Sequence, residues 1–391
     1  MNIISEVSGD PGAELPTAWI NACTGNSVPL PHPSENYFGS VRETTAKFIN
    51  SSTGQSLVSV DADNAKRYVQ NILNPEKFAK YVKKIDGWTR SLPLVFDNVA
   101  QEINLIAIID LLQVGSGFRR ELHKEIGRGA SDTINFGCMS LHISQTPIDA
   151  RGLQALTLGD ISQHFGVPLF GEERPMVKGN SAVMVSEAGS LRPFAEIILG
   201  ILQDTGRRLE QGGYSSFADY IIKVCSEKAT AAHLVAALAN GFPSLHDAAR
   251  IDGSPVYLFK KAQLIAYDIC KRLGNTDTKF AFPDIADMTV FADNVVPAML
   301  QHHGLIIPCK TISDKIKNGK ELSFSETTAM RAASVVAAQL VVDYANDPGT
   351  GYSLGDTLVN QATLDGFWWL EGKDPELRAV PRFICKSTVY F

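Results

Sequence analysis

Apolar positions recur at three- and four-residue spacing along most of the chain, which is the period of an amphipathic helix. Val41, Thr45, Phe48 and Ile49 share one side of the segment 40–49, and Asp61 and Asp63 stand ahead of the periodic run 65–73 as a helix-start signal. The same period predicts helices over 75–85, 100–112, 157–163, 192–206, 216–223, 229–239, 258–273, 292–303, 309–318 and 324–344. Two-residue alternation is scarce. The β-branched run 56–60, between Gly54 and Asp61, predicts one short strand, and Asp252-Gly253 sits where a tight hairpin turn would join 249–251 to 255–258. The pattern therefore predicts a mainly α protein with minor β, without internal repeat or heptad seam. Residues 1–40 are rich in Pro, Gly, Ser and Asn and follow neither period, so they are expected to form an irregular extension ahead of a single domain over 41–391.

Charge and cysteine usage narrow the class. The 391 residues carry 36 Lys and Arg against 42 Asp and Glu, a formal charge of −6, and the mean hydropathy is −0.01. Such a surface makes no general field for gathering polyanions, which argues against a nucleic-acid polymer as partner. The six cysteines are single, with no C-x-x-C pair, and are expected to be reduced, buried thiols. The first ten residues carry acids and no apolar core of a leader, and no apolar run approaches membrane-spanning length, so a cytoplasmic or nucleocytoplasmic monomer without membrane contact is expected.

Common catalytic signatures are missing: H-E-x-x-H, the P-loop and G-x-S-x-G do not occur. Gly115-Ser116-Gly117 lacks the third glycine of a dinucleotide fingerprint and reads as a turn. Adjacent helical residues point about 100° apart, so His302 and His303 cannot serve one metal from one face and read as a helix end. Cys138 and His142, at helical spacing but without further ligands nearby, read as a buried thiol and a partly satisfied imidazole. No metal is expected.

The segment 241–305 is different. Asp284, Asp287 and Asp293 alternate with Phe282, Ile285, Met288, Val290 and Phe291, so at least one carboxylate should lie in a low-dielectric wall where its ionisation is disturbed. Burial of that kind is costly unless the acid is paired, caps a helix, or is used. Asp287 and Asp293 each sit where a cap would serve a following turn or helix.

Three stretches in this region, Phe242-Pro243-Ser244, Phe259-Lys260-Lys261-Ala262-Gln263 and Met288-Thr289-Val290-Phe291-Ala292-Asp293-Asn294-Val295-Val296-Pro297, resemble the queuosine salvage family of queuosine 5′-phosphate N-glycosylases. The likeness extends thinly over about 41–391, through Ile108-Ile109-Asp110-Leu111-Leu112, Leu322-Ser323-Phe324, Arg331-Ala332, Asp365 with Trp369, and 381–390. The chain departs from the family pattern at Gln113-Val114, at Asn294-Val295, and at Ala329, where the family carries an acid.

The resemblance implies hydrolysis of queuosine 5′-phosphate to queuine and ribose 5-phosphate without cofactor, with that small nucleotide as partner. Cleaving an N-glycosidic bond builds positive charge on the ribose, which a carboxylate beneath C1′ stabilises. Asp293, then Asp284, is the expected carboxylate. The other of these two acids, or Asp110, is expected at the aminomethyl group or the guanine-like edge of the base, with Phe118 and Trp369 as stacking surfaces and Lys260, Lys261, Arg331 and Lys386 at the phosphate. Phe259 and Gln263, in the same matched stretches, and Asp287, just ahead of one, complete the expected substrate-binding set. The helices at 292–303 and 309–318 with the turn at 306–308 also resemble the helix-hairpin-helix core of base-excision glycosylases. That leaves two rival readings: a glycosylase acting on DNA or RNA, and a nucleotide-binding relative that has lost its chemistry.

Overall fold

The structure, a computed structural model, describes residues 30, 32–33, 36–86, 94–177, 180–354 and 358–391. Most of the expected irregular extension, with Cys23, lies outside these residues. In chain order the elements begin with α1 (Tyr37–Ile49), α2 (Ser52–Leu57), β1 (Val58–Val60), α3 (Ala62–Asn71) and α4 (Pro75–Asp86). They continue through α5 (Val99–Leu111), α6 (Arg119–Ile126), α7 (Ala130–Ile143), α8 (Ala150–Ala155), α9 (Leu158–Phe165), β2 (Arg174–Val177), β3 (Asn180–Val185) and α10 (Arg192–Gln211). Then come α11 (Phe217–Glu227), α12 (Ala231–Gly241), β4 (Ala248–Ile251), β5 (Ser254–Tyr257), α13 (Lys260–Leu273) and α14 (Val295–His302). The last are β6 (Ile306–Pro308), α15 (Lys310–Lys317), α16 (Phe324–Ala345) and α17 (Gln361–Glu371). The fold class is mainly α with minor β, as the periodicity predicts.

By internal contacts Leu94–Tyr220 make one compact unit, and Ile221–Phe391 with the described residues before Leu94 make the other. In the first, α8 packs on α10 and α9 on α7 and α10. Gly115 adopts φ +85°, and a Cβ there would meet the Phe194 ring at 2.1 Å, so the Gly115-Ser116-Gly117 turn is a steric requirement of this packing.

The second unit is organised around α16. Ala329, Ala332, Ala333, Ala337 and Ala338 are fully buried, and their small side chains let α1, α3, α14 and α17 approach the helix closely. Its start is set by a capping box: the Ser323 hydroxyl accepts from the Glu326 amide at 3.3 Å while Glu326 accepts from the Ser323 amide at 2.7 Å. The Asp252-Gly253 turn joins β4 to β5 as predicted, with both residues at positive φ (49° and 78°), the geometry of a two-residue hairpin loop.

Three differences from the sequence reading have local causes. Residues 306–308, expected as a hairpin turn between two helices, form a strand antiparallel to β1, with Ser59 opposite Ile307. The helices expected from 258 and 292 begin at Lys260 and Val295, because the preceding residues are held in other conformations by side chains described below. Helix α17 goes unpredicted because it is buried on nearly all sides, from Gln361 to Asp365 and again at Phe367 and Trp368, and so has no amphipathic period.

Candidate functional site

The extended segment Thr289-Val290-Phe291 lies outside the strands, and its amides are satisfied by side chains. Gln263 Oε1 accepts from Thr289 N at 2.9 Å, Gln361 Oε1 from Val290 N at 3.1 Å, and Asp365 Oδ1 from Phe291 N at 2.7 Å. Gln361 and Asp365 are one helical turn apart on α17, so a single helix face grips two successive amides. Arg331 Nε then donates to Ala292 O at 2.7 Å, and Asn294 Nδ2 to Phe383 O at 3.2 Å. This scaffold delivers Asp293 to the start of α14, where its Oδ1 accepts from Val295 N (2.5 Å) and Val296 N (3.3 Å). One carboxylate oxygen is thus fixed as a helix cap, and Oδ2 makes no hydrogen bond among the described residues.

Around Lys260 gather Asp293, Asp365, Arg331 and Asp247. Lys260 is 6% exposed. Burial pulls its ammonium below the ordinary lysine range; the Asp293 carboxylate opposes that most strongly, Arg331 adds to it, and Asp365 and Asp247 oppose it more weakly. Asp365 is buried in the apolar packing of α17, which pushes its carboxyl up to about 8. The negative charge of Asp293 pushes it further in the same direction, while the Phe291 amide and Lys260 pull it back. At neutral pH Asp365 is therefore mostly a neutral acid beside Asp293. An acid kept neutral by burial next to a second carboxyl can serve as a proton donor. Tyr267 and Phe291 form an edge-to-face aromatic contact (5.5 Å between ring centres) next to this pair.

Asp247 and Arg331 form a buried bidentate ion pair, with Nη1 to Oδ1 at 2.9 Å and Nη2 to Oδ2 at 2.6 Å. The Phe391 ring lies 4.4 Å from the guanidinium carbon. A small open cleft is lined by this ion pair, by the hydroxyl side chains Thr327, Thr328, Ser387 and Thr388, and by Tyr390 and Phe391.

The other expected site residues fall in several places. Asp284 Oδ1 and Oδ2 accept from Ala231 N (2.7 Å) and Ala232 N (2.9 Å), so this carboxylate caps α12 with both oxygens engaged. Asp287 is exposed, and its carbonyl accepts from Arg42 at 2.5 Å. Phe259 and Lys261 are completely buried, Phe259 stacking on Tyr257 at 5.4 Å. Gln263 grips Thr289, as described. Arg331 gives its donors to Asp247 and Ala292. Trp369 is half-buried with the Lys373 ammonium 3.6 Å over its ring, and Lys386 is half-buried. Asp110 and Phe118 belong to the other compact unit, both buried, Phe118 against Phe194 at 5.7 Å. His303, read as a helix end, pairs with Glu371 at 2.9 Å.

Sequence reasoning gave Asp365 no role and passed over Asp247. Both are visible in retrospect as lone acids in apolar runs, Thr363-Leu364-Asp365-Gly366-Phe367 and Leu245-His246-Asp247-Ala248-Ala249.

Residues 176–391 match the model of the family described as queuosine salvage protein. Among curated proteins, the chain is 31% identical over 174 residues to a queuosine 5′-phosphate N-glycosylase/hydrolase of Sphaerobacter thermophilus, covering 44% of this chain and 52% of that one. It is 24% identical over 211 residues to the protein of the same name from Bos taurus, covering 51% and 59%. Against that of Mus musculus it is 28% identical over 156 residues, covering 39% and 44%. The chain thus spans about half the length of the curated relatives it matches.

Proposed function

The chain belongs to the queuosine salvage protein family, and from that premise we propose that it hydrolyses the N-glycosidic bond of queuosine 5′-phosphate, releasing queuine and ribose 5-phosphate. The observation that carries this reading is the pairing of Asp293, at the start of α14, with the buried acid Asp365 and with Lys260. Relatives named as N-glycosylases of that nucleotide support the substrate.

In this mechanism Asp293 is the anion beneath the ribose. As the C1′–N bond lengthens, positive charge develops on the sugar, and a carboxylate in a low-dielectric setting stabilises it far more than water does. Among the charges around Lys260, the Asp293 carboxylate acts on it most strongly. Asp365, neutral at pH 7, passes its proton to the departing base; water adds its hydroxyl to C1′, and its proton restores Asp365. Every bond broken is matched by one formed, and no redox partner is required. Tyr267 and Phe291 offer apolar surface to the flat base. Arg331 acts as a strut between Asp247 and Ala292, so the phosphate falls to the hydroxyls of the cleft, with Lys386 on the same segment as Ser387 and Thr388.

The test is incubation of the purified chain with queuosine 5′-phosphate, with products identified by mass spectrometry. Queuine and ribose 5-phosphate in equal amounts support the proposal. Intact substrate alongside base release from a DNA or RNA oligomer supports the polymer-glycosylase reading instead. The acid partner adds a second signature: kcat declines as pH rises through about 8, where Asp365 loses its proton.

A further inference from the structure

Asp247 lies one residue before β4 and is 2% exposed. Three consecutive amides converge on it: Leu258 N and Phe259 N donate to its carbonyl at 2.9 and 3.0 Å, and Lys260 N donates to its Oδ2 at 3.1 Å. Between those donors Phe259 is held at φ 49°, a left-handed conformation that a phenylalanine adopts only when its surroundings impose it. That turn is where α13 begins, and Lys260 is the helix's first residue. On its other side Asp247 takes both Nη groups of Arg331, whose Nε holds Ala292 O, the carbonyl immediately before Asp293. One buried carboxylate therefore ties together the segment that presents Lys260 and the segment that presents Asp293.

We propose that Asp247 is a positioning residue which, through the 258–260 turn and the Arg331 strut, sets the spacing between Lys260 and Asp293. This rests on the reading of those two residues as the working pair. The charged groups acting on Lys260 are Asp293, from the loop before α14, Arg331 on α16, Asp365 on α17, and Asp247 itself. Asp247→Asn keeps the size and one acceptor oxygen, removes the charge, and turns an amide donor toward the Arg331 donors.

The experiment pairs kinetics with a readout that needs no substrate. Lysines are labelled with ¹³C, the Lys260 signal is assigned by its loss in Lys260→Arg, and its titration is compared in the parent and in Asp247→Asn. The expected result is a Lys260 midpoint displaced toward acid, since a Lys260 no longer held against Asp293 loses the carboxylate that most favours its charged form, with kcat on queuosine 5′-phosphate down by about ten- to a hundredfold and KM within about threefold. An unmoved Lys260 titration overturns the proposal even if activity falls, and so does an unchanged kcat. If Asp247→Asn does not fold, Asp247→Glu takes its place. It moves the charge by one methylene, and the proposal then predicts a kcat loss of about tenfold or more in a folded protein; full activity overturns it. A parent that releases no queuine defeats the functional reading alone, because the lysine titration still decides whether Asp247 governs Lys260.

Discussion

Replacing Asp365 by Asn separates the energetic consequence of its burial from its part in the chemistry. The amide matches the neutral acid in shape, keeps an oxygen for the Phe291 amide, and does not titrate. In the parent the folded protein retains the Asp365 proton up to about 8, whereas the unfolded chain releases it near 3.8. Between those values the native state binds more protons than the unfolded one, so the acid's contribution is full below 3.8 and is lost as pH rises toward 8. Integrating the linkage between those two values puts the loss at about 2 kcal/mol by pH 5 and roughly 4 kcal/mol by pH 7. The Asn variant escapes this loss, so the unfolding free energy of variant minus parent should climb by about 2 kcal/mol between pH 5 and pH 7. Urea unfolding followed by tryptophan fluorescence at half-unit pH steps measures it. A difference that stays flat across that range would refute the reasoning, because Asp365 would then titrate alike in both states.

Other substitutions check other parts of the account. Asp284→Asn weakens the cap of α12 and should lower unfolding free energy by about 1 kcal/mol, with kcat within a few-fold of the parent; a large activity loss at full stability would return Asp284 to the chemistry. Gly115→Ala places a methyl group into the Phe194 ring at a positive φ, and thermal unfolding should register a loss of about 2–4 kcal/mol. Gln361→Ala leaves the Val290 amide without its acceptor. It should cost about 1–3 kcal/mol, read by chemical denaturation, and lower kcat more than it raises KM, since Val290 lies on the segment that carries Asp293.

The helices were legible where one face is wet and a polar residue caps the start. Asp61 caps α3, accepting from the Asn64 amide at 2.8 Å, and the Asp252-Gly253 turn needs only local chemistry. Elements buried on all sides, such as α17, lack the contrast that periodicity reads. The site divides the same way. Asp293 stood out as an acid in an apolar run, and its capping role and its place beside Lys260 proved to be parts of one arrangement. Asp284 was the second candidate, yet the partner that engages it is the start of α12, more than fifty residues earlier. Asp365 and Asp247 act through contacts across about seventy to eighty residues of chain, a relation that no local pattern encodes. Lys260 and Arg331 were recognised as cations, but only the fold shows that Arg331 has its donors engaged by Asp247 and Ala292.

The central claim is that Asp293 is the carboxylate that breaks the glycosidic bond. It is tested most directly by queuine release from queuosine 5′-phosphate in the parent, Asp293→Asn and Asp284→Asn, each shown to be folded. The account predicts release by the parent and by Asp284→Asn, with kcat lowered by about a hundredfold or more in Asp293→Asn. Equal rates in the parent and Asp293→Asn, or no release by the parent, would contradict it.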